Sequence, residues 1–427
     1  MRSLFLAIVA LGGAGGIAAR AAQQDPSLAR RVESGPDGLV GVSFSSRAEV
    51  CGNGFSMLRV STGSFGDGDW MYSYSNGSGP CEPGPLRVLV RRAAGRVVAV
   101  RVGAGAAAWP AGTTDLGSVS SQTAAGYFLE LAGRIDGRAG RDALLAGVLA
   151  DSGAWEPLLE IARNDRVSRG LRESAVSWLG RDPAVATGDP GLVRALLELA
   201  RNPDLPTGVR TRAVTAAGRS GSGATDALLS LAREDDPALA KAAVTAVGRE
   251  PDARIRSALE RLAADSGRPR AVRTEAVRVL GGRDATPADF AALRRLWPSL
   301  SSEQRQAVIR SAGEFGGSEQ QEWLTDVVRT EREVAAVRAQ AVRAAEQAGV
   351  GSAGLARLYD EVPDRKVREA VLEALVRIGD RTARERVARI AETDTDPALR
   401  RAAIRRLATL GDQDALEAIV TAPIGQR

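Results

Sequence analysis

From residue 171 onward, apolar and small residues recur in short strings that repeat down the chain. The clearest string is Leu171-Arg172-Glu173-Ser174-Ala175-Val176 with Leu179-Gly180, and it returns as Val209-Arg210 with Ala213-Val214 and Gly218. Leu239 with Ala243-Val244 and Val247-Gly248, then Val272-Arg273 with Ala276-Val277 and Leu280-Gly281, continue the series. Ala307-Val308 with Gly313 follows, and here no arginine leads. Val337-Arg338 with Ala341-Val342, Val367-Arg368 with Val371-Leu372, and Leu399-Arg400 with Ala403-Ile404 complete eight copies. Their anchors at 175, 213, 243, 276, 307, 341, 371 and 403 are separated by 38, 30, 33, 31, 34, 30 and 32 residues. Within a string the apolar positions fall at i, i+4, i+5 and i+8, which is one stripe of a helix. A second stripe precedes each string, as in Leu192, Leu196 and Leu199, in Leu228, Leu229 and Leu231, and in Val387 with Ile390. Each unit therefore predicts helix, turn, helix. No unit can bury its stripe alone, so neighbours must stack into a quasi-one-dimensional core.

Turn chemistry supports the division. Asp236-Pro237 and Asp396-Pro397 put a capping acid before a proline that the first helical turn tolerates. Ser301 and Gln304 have capping-box spacing. Glycines 180, 218, 248, 281 and 313 fall at the ends of second helices, where a left-handed residue terminates a helix without steric cost. Residues 127–135 and 142–149 read as a first, atypical helix pair, and 414–420 as a final single helix. The expectation is an α-solenoid over residues 123–424, built of about nine helix pairs.

The Val-Arg-x-x-Ala-Val-x-x-Leu-Gly string at this period resembles HEAT repeats of the short bacterial, phycobilisome-lyase-like type, over residues 124–424. The resemblance implies a mostly α fold, a right-handed α-α solenoid of armadillo-type superhelical form whose second helices line a concave face. It implies a binding scaffold for a protein or peptide partner more than an enzyme, because a widely used fold says little about chemistry. Enzymatic relatives exist in bilin lyases, in HEAT-like DNA glycosylases that use an aspartate and tryptophans, and in HEAT-like hydroxylases built on His-Glu motifs. The chain contains no histidine at all. That inventory excludes histidine-dependent triads, paired-histidine zinc sites, facial-triad iron sites and the hydroxylase centre. Lys241 and Lys366 are the only lysines, and neither completes a phosphate-binding Gly-x-x-x-x-Gly-Lys loop. The carboxylate pairs Asp235-Asp236 and Asp394-Asp396 lie between helices and read as caps, while Trp155, Trp178, Trp297 and Trp323 are spread over separate units. No catalytic residue, metal site or cofactor is expected.

Residues 22–103 follow a different pattern. Val40, Val42 and Phe44 alternate with polar neighbours, and two strand-like runs flank Ala93-Ala94-Gly95. On this hairpin Val88, Val90, Val98, Val100 and Val102 are expected on one face, with Arg87, Arg91 and Arg101 on the other, as a solvated face or a basic docking face. Cys51 and Cys81 read as a disulfide closing a small β domain, with two free or metal-binding thiols as the alternative. Closing that loop stabilises by ~3 to 4 kcal/mol in chain-entropy terms. Phe55, Phe65, Trp70, Tyr72 and Tyr74 supply its core or the lining of a pocket, and residues 104–122 read as a linker or an irregular connection to the first helix. Residues 1–21 carry an arginine, an apolar run with four glycines and Ala19-Arg20-Ala21, the pattern of a cleaved secretory signal rather than a spanning anchor. A soluble, exported chain, periplasmic or extracellular, is the expectation. Removing Arg2 and Arg20 leaves 57 − 2 = 55 basic against 52 acidic residues, a balance of +3 that argues for no nucleic-acid partner.

The candidate binding residues come from the second helices, at positions two before and two after each anchor. In early units these are neutral, as Ser177, Thr211, Thr215 and Thr245. Later they become charged, as Arg278, Arg343, Glu373, Arg401 and Arg405. A protein or peptide partner lying along this groove with its acidic part toward the C-terminal units is the leading expectation, and Arg278, Arg343, Arg401 and Arg405 are its candidate contacts. The recurring arginine after each Val or Leu is expected to tie adjacent repeats together. The alternatives are an envelope enzyme related to bilin lyases, or an assembly factor that recognises its partner through the β domain and uses the solenoid as a spacer.

Overall fold

The computed structural model describes residues 26–46, 49–61, 70–75, 80–106, 108–150, 155–249, 252–282, 285–410, 413 and 417. The expected signal segment, Phe65 and most of the expected final helix lie outside them. The described chain forms two compact units, Met1–Asp182 and Pro183–Arg427.

The first unit opens with helix α1 (Pro26–Glu33), which buries Leu28 and Val32. Strands β1 (Gly38–Phe44), β6 (Leu86–Ala93), β7 (Arg96–Ala104) and β8 (Thr113–Ser118) make one sheet in the order β7-β6-β1-β8. Strands β2 (Glu49–Asn53), β3 (Met57–Ser61), β4 (Trp70–Ser75) and β5 (Glu82–Pro83) make a second, in the order β4-β3-β2-β5. All pairings are antiparallel except β8, which runs parallel to β1. Cys51 and Cys81 are disulfide-bonded, with Cα atoms 5.1 Å apart. Two helix pairs complete the unit: α2 (Ser121–Arg134) with α3 (Gly137–Leu149), and α4 (Glu156–Arg163) with α5 (Arg169–Leu179).

Expectations for this region are corrected by the structure. Residues 104–122 are not a free linker, since β8 pairs along β1 and Trp109 lies over the sheet. Its ring stacks on Arg87 at 3.8 Å and on Phe55 at 5.8 Å, and Gly41 makes room for it, because a Cβ there would come within 3.0 Å of the indole. Arg87 is consequently buried rather than solvated, and the sheet has packing on both faces. The opposite face, with Val40, Val42, Phe44, Val88, Val90, Val100 and Val102 all buried, meets the helices through Phe44 and Phe128, 6.0 Å apart. Val98, expected in that buried row, is 50% exposed, since the β6–β7 register shifts beside it. The compact unit that holds the β region continues through the first helix pairs to Asp182. The first helix pairs are held to the β region by Phe44–Phe128 and by an Arg134–Glu33 ion pair at 2.7 Å. Hydrogen bonds from Ser121 Oγ to Ser45 O and from Ser46 Oγ to Leu149 O add to them.

The second unit contains a short helix α6 (Pro183–Ala186) and seven helix pairs. They are α7 (Pro190–Arg201) with α8 (Thr207–Ala217), α9 (Thr225–Leu231) with α10 (Pro237–Val247), α11 (Ala253–Ala264) with α12 (Arg270–Leu280), and α13 (Pro287–Leu296) with α14 (Ser302–Phe315). Then come α15 (Ser318–Arg329) with α16 (Ala335–Gln347), α17 (Ser352–Glu361) with α18 (Arg365–Ile378), and α19 (Arg381–Thr393) with α20 (Pro397–Leu410). Both stripes are buried, as in Leu192, Leu196, Leu199, Val387 and Ile390 on first helices and Ala213, Val244, Val277 and Val371 on second helices. The second helices stack successively, α8 on α10, α10 on α12, and so on to α20. Asp236 caps α10 by accepting from the backbone of Ala238 and Leu239, and Ser301 with Gln304 forms the expected capping box on α14.

The glycines at the second-helix ends have a different role from the one expected. Gly180, Gly218 and Gly248 have φ of −67°, −65° and −69°, so none adopts the left-handed conformation. Gly218 and Gly248 allow close approach instead, as Gly281 and Gly313 do. A Cβ on Gly218 would lie 2.6 Å from Ala246 Cβ, one on Gly281 2.6 Å from Ser311 Oγ, and one on Gly313 3.0 Å from Ala344 Cα. Each contact is with the second helix of the next pair, so the glycines set how tightly neighbouring pairs stack. Gly379, at φ 63°, is a true left-handed cap.

Candidate binding surface

The surface open to a partner is what remains after the solenoid has used its own charges, and the recurring arginine is the largest internal consumer. Arg172, Arg210, Arg273 and Arg338 each donate Nε to the backbone carbonyl ten residues earlier, at 3.1, 3.1, 3.4 and 2.7 Å. The acceptors, Ala162, Ala200, Ala263 and Val328, end the first helix of the same pair, where carbonyls have no intrahelical partner. Arg368 bonds Val362 O at 2.8 Å, and Arg400 bonds Asp394 O. The arginine is therefore first a clamp within a pair. Arg210 also reaches Asp236 at 3.0 Å, Arg273 reaches Gln304 at 3.3 Å and Arg368 reaches Asp394 at 3.7 Å, in the pair that follows. These three tie neighbouring pairs together as expected.

The copy thought to lack this arginine has it one residue later. Arg305 donates Nε to Trp297 O at 3.1 Å and Nη2 to Pro298 O at 3.2 Å, and its Nη1 holds both oxygens of Glu333 at 2.8 and 2.9 Å. In the other clamped copies the arginine stands three residues before the anchor, so the anchor of α14 is Val308, not Ala307. The neighbouring intervals become 308 − 276 = 32 and 341 − 308 = 33 residues. The residue two beyond the anchor is then Arg310, which is exposed, rather than Ile309, which is fully buried.

With that register the outward row on the second helices of this unit reads Thr215, Thr245, Arg278, Arg310, Arg343, Glu373 and Arg405. Arg278 is tied to Glu275 on its own helix through Nε and Nη2. Thr245, one pair earlier, donates its hydroxyl to the same carboxylate. Arg343 reaches Glu373, the equivalent position one pair on, at 3.5 Å. Arg406 approaches Glu373 from the other side at 3.6 Å. Arg310, Arg401 and Arg405 are exposed, and among the described residues none has an acidic partner. Of the four candidate contacts read from the sequence, Arg278 and Arg343 are thus partly neutralised, and Arg401 and Arg405 are available.

Glu275 is a carboxylate on this face whose titration is shifted by its neighbours. Burial pushes its carboxyl up, but hydrogen bonds from Arg278 and Thr245 and the charges of Arg278 and Lys241 outweigh burial and hold it below the ordinary value of 4.5. A depressed carboxylate stabilises the fold above its unfolded pKa, and that contribution is lost as pH falls through the folded one. We expect Glu275→Gln to lower stability by about 1–2 kcal/mol at neutral pH. The gap between variant and parent in denaturation midpoint should close as pH is taken below 4.5.

Two tryptophans placed in separate units by the sequence meet in space: the rings of Trp297 and Trp323 are 5.1 Å apart, edge to face. Arg305 and Arg294 lie over them at 5.4 and 5.6 Å, and Trp297 Nε1 donates to Glu333 at 3.0 Å. All of these groups are engaged with one another, which makes the cluster part of the packing. Trp70, Tyr72 and Tyr74 lie on β4, but their side chains are outside the described residues, so the expected aromatic cluster of the β region is represented by Phe55 against Trp109. Among the described residues, no group of three or more Cys, Asp or Glu is placed to hold a metal ion, and no helix is long and apolar enough to cross a membrane.

Residues 352–422 match the family described as HEAT repeats. Among solved structures, human deoxyhypusine hydroxylase in complex with glycerol aligns over 70% of this chain and 98% of its own, with 17% identity and a TM-score of 0.25. An engineered protein aligns over 70% and 87%, with 21% identity and a TM-score of 0.32. A computationally designed self-assembling cyclic homooligomer aligns over 69% and 91%, with 14% identity and a TM-score of 0.10. No curated protein matches the sequence.

Proposed function

We propose that this chain, whose residues 352–422 match HEAT repeats, a kind of repeat that typically mediates protein interactions, is an exported, non-catalytic scaffold. A protein or peptide partner lies along the second-helix face of the second unit, with its acidic part toward the C-terminal pairs. The observation that carries this reading is the division of the arginines. Those at the clamp position are consumed by helix-end carbonyls and neighbouring acids, whereas Arg401 and Arg405 stand exposed without an acidic partner among the described residues. The sequence contains no histidine, which removes histidine-dependent catalysis. Export is supported by the apolar N-terminal pattern of residues 1–21 and by the Cys51–Cys81 disulfide, a bond favoured in oxidising compartments.

The test compares the native chain with an Arg343→Glu, Arg401→Glu, Arg405→Glu variant, both crosslinked in the envelope and analysed by mass spectrometry. The triple variant is expected to lose crosslinks between second helices and its principal partner while keeping the native melting transition. An unchanged partner set would reject the second-helix face as the binding surface.

A further inference from the structure

The corrected register of α14 places Arg278, Arg310 and Arg343 at one equivalent position on three consecutive second helices, α12, α14 and α16. Neighbouring packed helices lie about 8–10 Å apart, so the backbone positions that carry these arginines recur at roughly that interval. The row is continuous in space, because Arg343 spans to Glu373, the same position on α18. Its two ends are partly compensated, Arg278 by Glu275 and Arg343 by Glu373, while Arg310 between them has no acidic partner among the described residues.

We propose that this ridge is a docking site for an extended acidic protein segment with a carboxylate at every third residue, centred on Arg310. The period follows from geometry. A polyproline-II segment has three residues per turn and rises about 3.1 Å per residue, so it presents the same face about every 9 Å, inside the interval between second helices. On an α-helical segment residues three or four apart share a face but rise only about 5 Å, and those seven apart rise about 10.5 Å, just past the upper end of that interval. Carboxylates at every third position would then meet Arg278, Arg310 and Arg343 in turn, Arg310 with its whole fork and Arg278 through Nη1, because its Nε and Nη2 hold Glu275. This inference rests on the proposed use of the second-helix face and names the chemistry of what occupies it.

The experiment uses the full chain and three labelled peptides of equal net charge at low ionic strength, where exposed charges are least screened. One is a (Glu-Pro-Pro)n repeat, one has the same composition with its glutamates clustered, and one is a helical peptide with glutamate at every seventh residue. Fluorescence anisotropy should show the spaced peptide binding about tenfold more tightly than either competitor. Arg310→Glu and Arg310→Gln should both abolish that preference, whereas Arg357→Glu, an equal charge change on the exposed surface of the first helix α17, should keep it. The idea is overturned by equal binding of the spaced and clustered peptides, by stronger binding of the helical one, by equal losses from Arg310→Glu and Arg357→Glu, or by no binding. If it is overturned while native crosslinks still map to second helices, the scaffold reading stands and only the ligand chemistry is wrong. Crosslinks that map elsewhere reject both.

Discussion

Replacing Arg305 with methionine should cost the fold about 3–5 kcal/mol, among the largest single-residue effects in the solenoid. Arg305 is about one-fifth exposed, and Glu333, which it holds with two contacts below 3 Å, is 8% exposed. The same guanidinium satisfies the carbonyls of Trp297 and Pro298 at the end of the preceding helix turn. Methionine fills similar volume, so little of the loss arises from a cavity. The loss comes from leaving a buried carboxylate with only the Trp297 indole as donor, together with two carbonyls stripped of their partner. A double-mutant cycle separates these contributions. Glu333→Met alone should cost less than Arg305→Met, because an arginine with 21% exposure can still reach water. The double variant should recover most of the stability, since an apolar pair of similar volume avoids the uncompensated charge. Additive losses in chemical denaturation would show that the two side chains are not coupled and that the clamp is not what joins these pairs.

The stacking of helix pairs was legible in the sequence because the apolar stripe is a local, periodic signal, and the buried stripes of the second unit follow it, with Ile404 of the last string only half-buried. The caps at Asp236 and Ser301 were legible for the same reason, since each is decided within three residues of sequence. The register of α14 was not. Ala307 and Val308 are both small or apolar and both buried, so pattern alone chose the wrong anchor, and the displaced Arg305 looked like an absent one. The signal that would have found it is the arginine itself, counted back from the anchor at its fixed interval. That slip also concealed Arg310, because counting two residues from Ala307 reaches a fully buried isoleucine.

Other features that the sequence did not disclose share a cause, which is that they depend on contacts between segments remote in sequence. Arg87 looks solvated from strand alternation and is buried because Trp109, over twenty residues away, stacks on it. The unit that holds the β region continues to Asp182 because the first helices find apolar partners on the β sheet, Phe128 against Phe44 above all. Composition had marked the change from strands to helices, and secondary structure does change there, but compactness follows contacts rather than element type. Of the candidate contacts, the helical offset from the anchor put Arg278 and Arg343 at positions that are exposed. It carried no information about Glu275 and Glu373, whose approach depends on side-chain reach between turns and between pairs.

Gly248→Ala should destabilise the solenoid by about 2–3 kcal/mol, although alanine for glycine at a compatible backbone position ordinarily stabilises by about 0.4–1 kcal/mol through the unfolded chain. The sign is therefore diagnostic. Gly248 has φ −69° and ψ 0°, a conformation open to any L-residue, so backbone strain contributes nothing. What an added methyl meets is Val279 on α12 of the next pair, with Cγ1 2.0 Å away and Cβ 3.3 Å away. A β-branched side chain has little rotamer freedom on a helix, so the valine cannot turn aside cheaply and the pairs must separate. Val279→Ala placed behind Gly248→Ala should recover more than half of the loss, whereas Val279→Ala in the parent should itself be destabilising. A neutral or stabilising Gly248→Ala would mean that the neighbouring second helices do not approach this closely. It would also remove the basis for the interval at which α12, α14 and α16 present Arg278, Arg310 and Arg343, because the same glycine contacts recur at Gly281 and Gly313. Stability of this variant and peptide preference at Arg310 are thus linked through one distance, the separation of successive second helices.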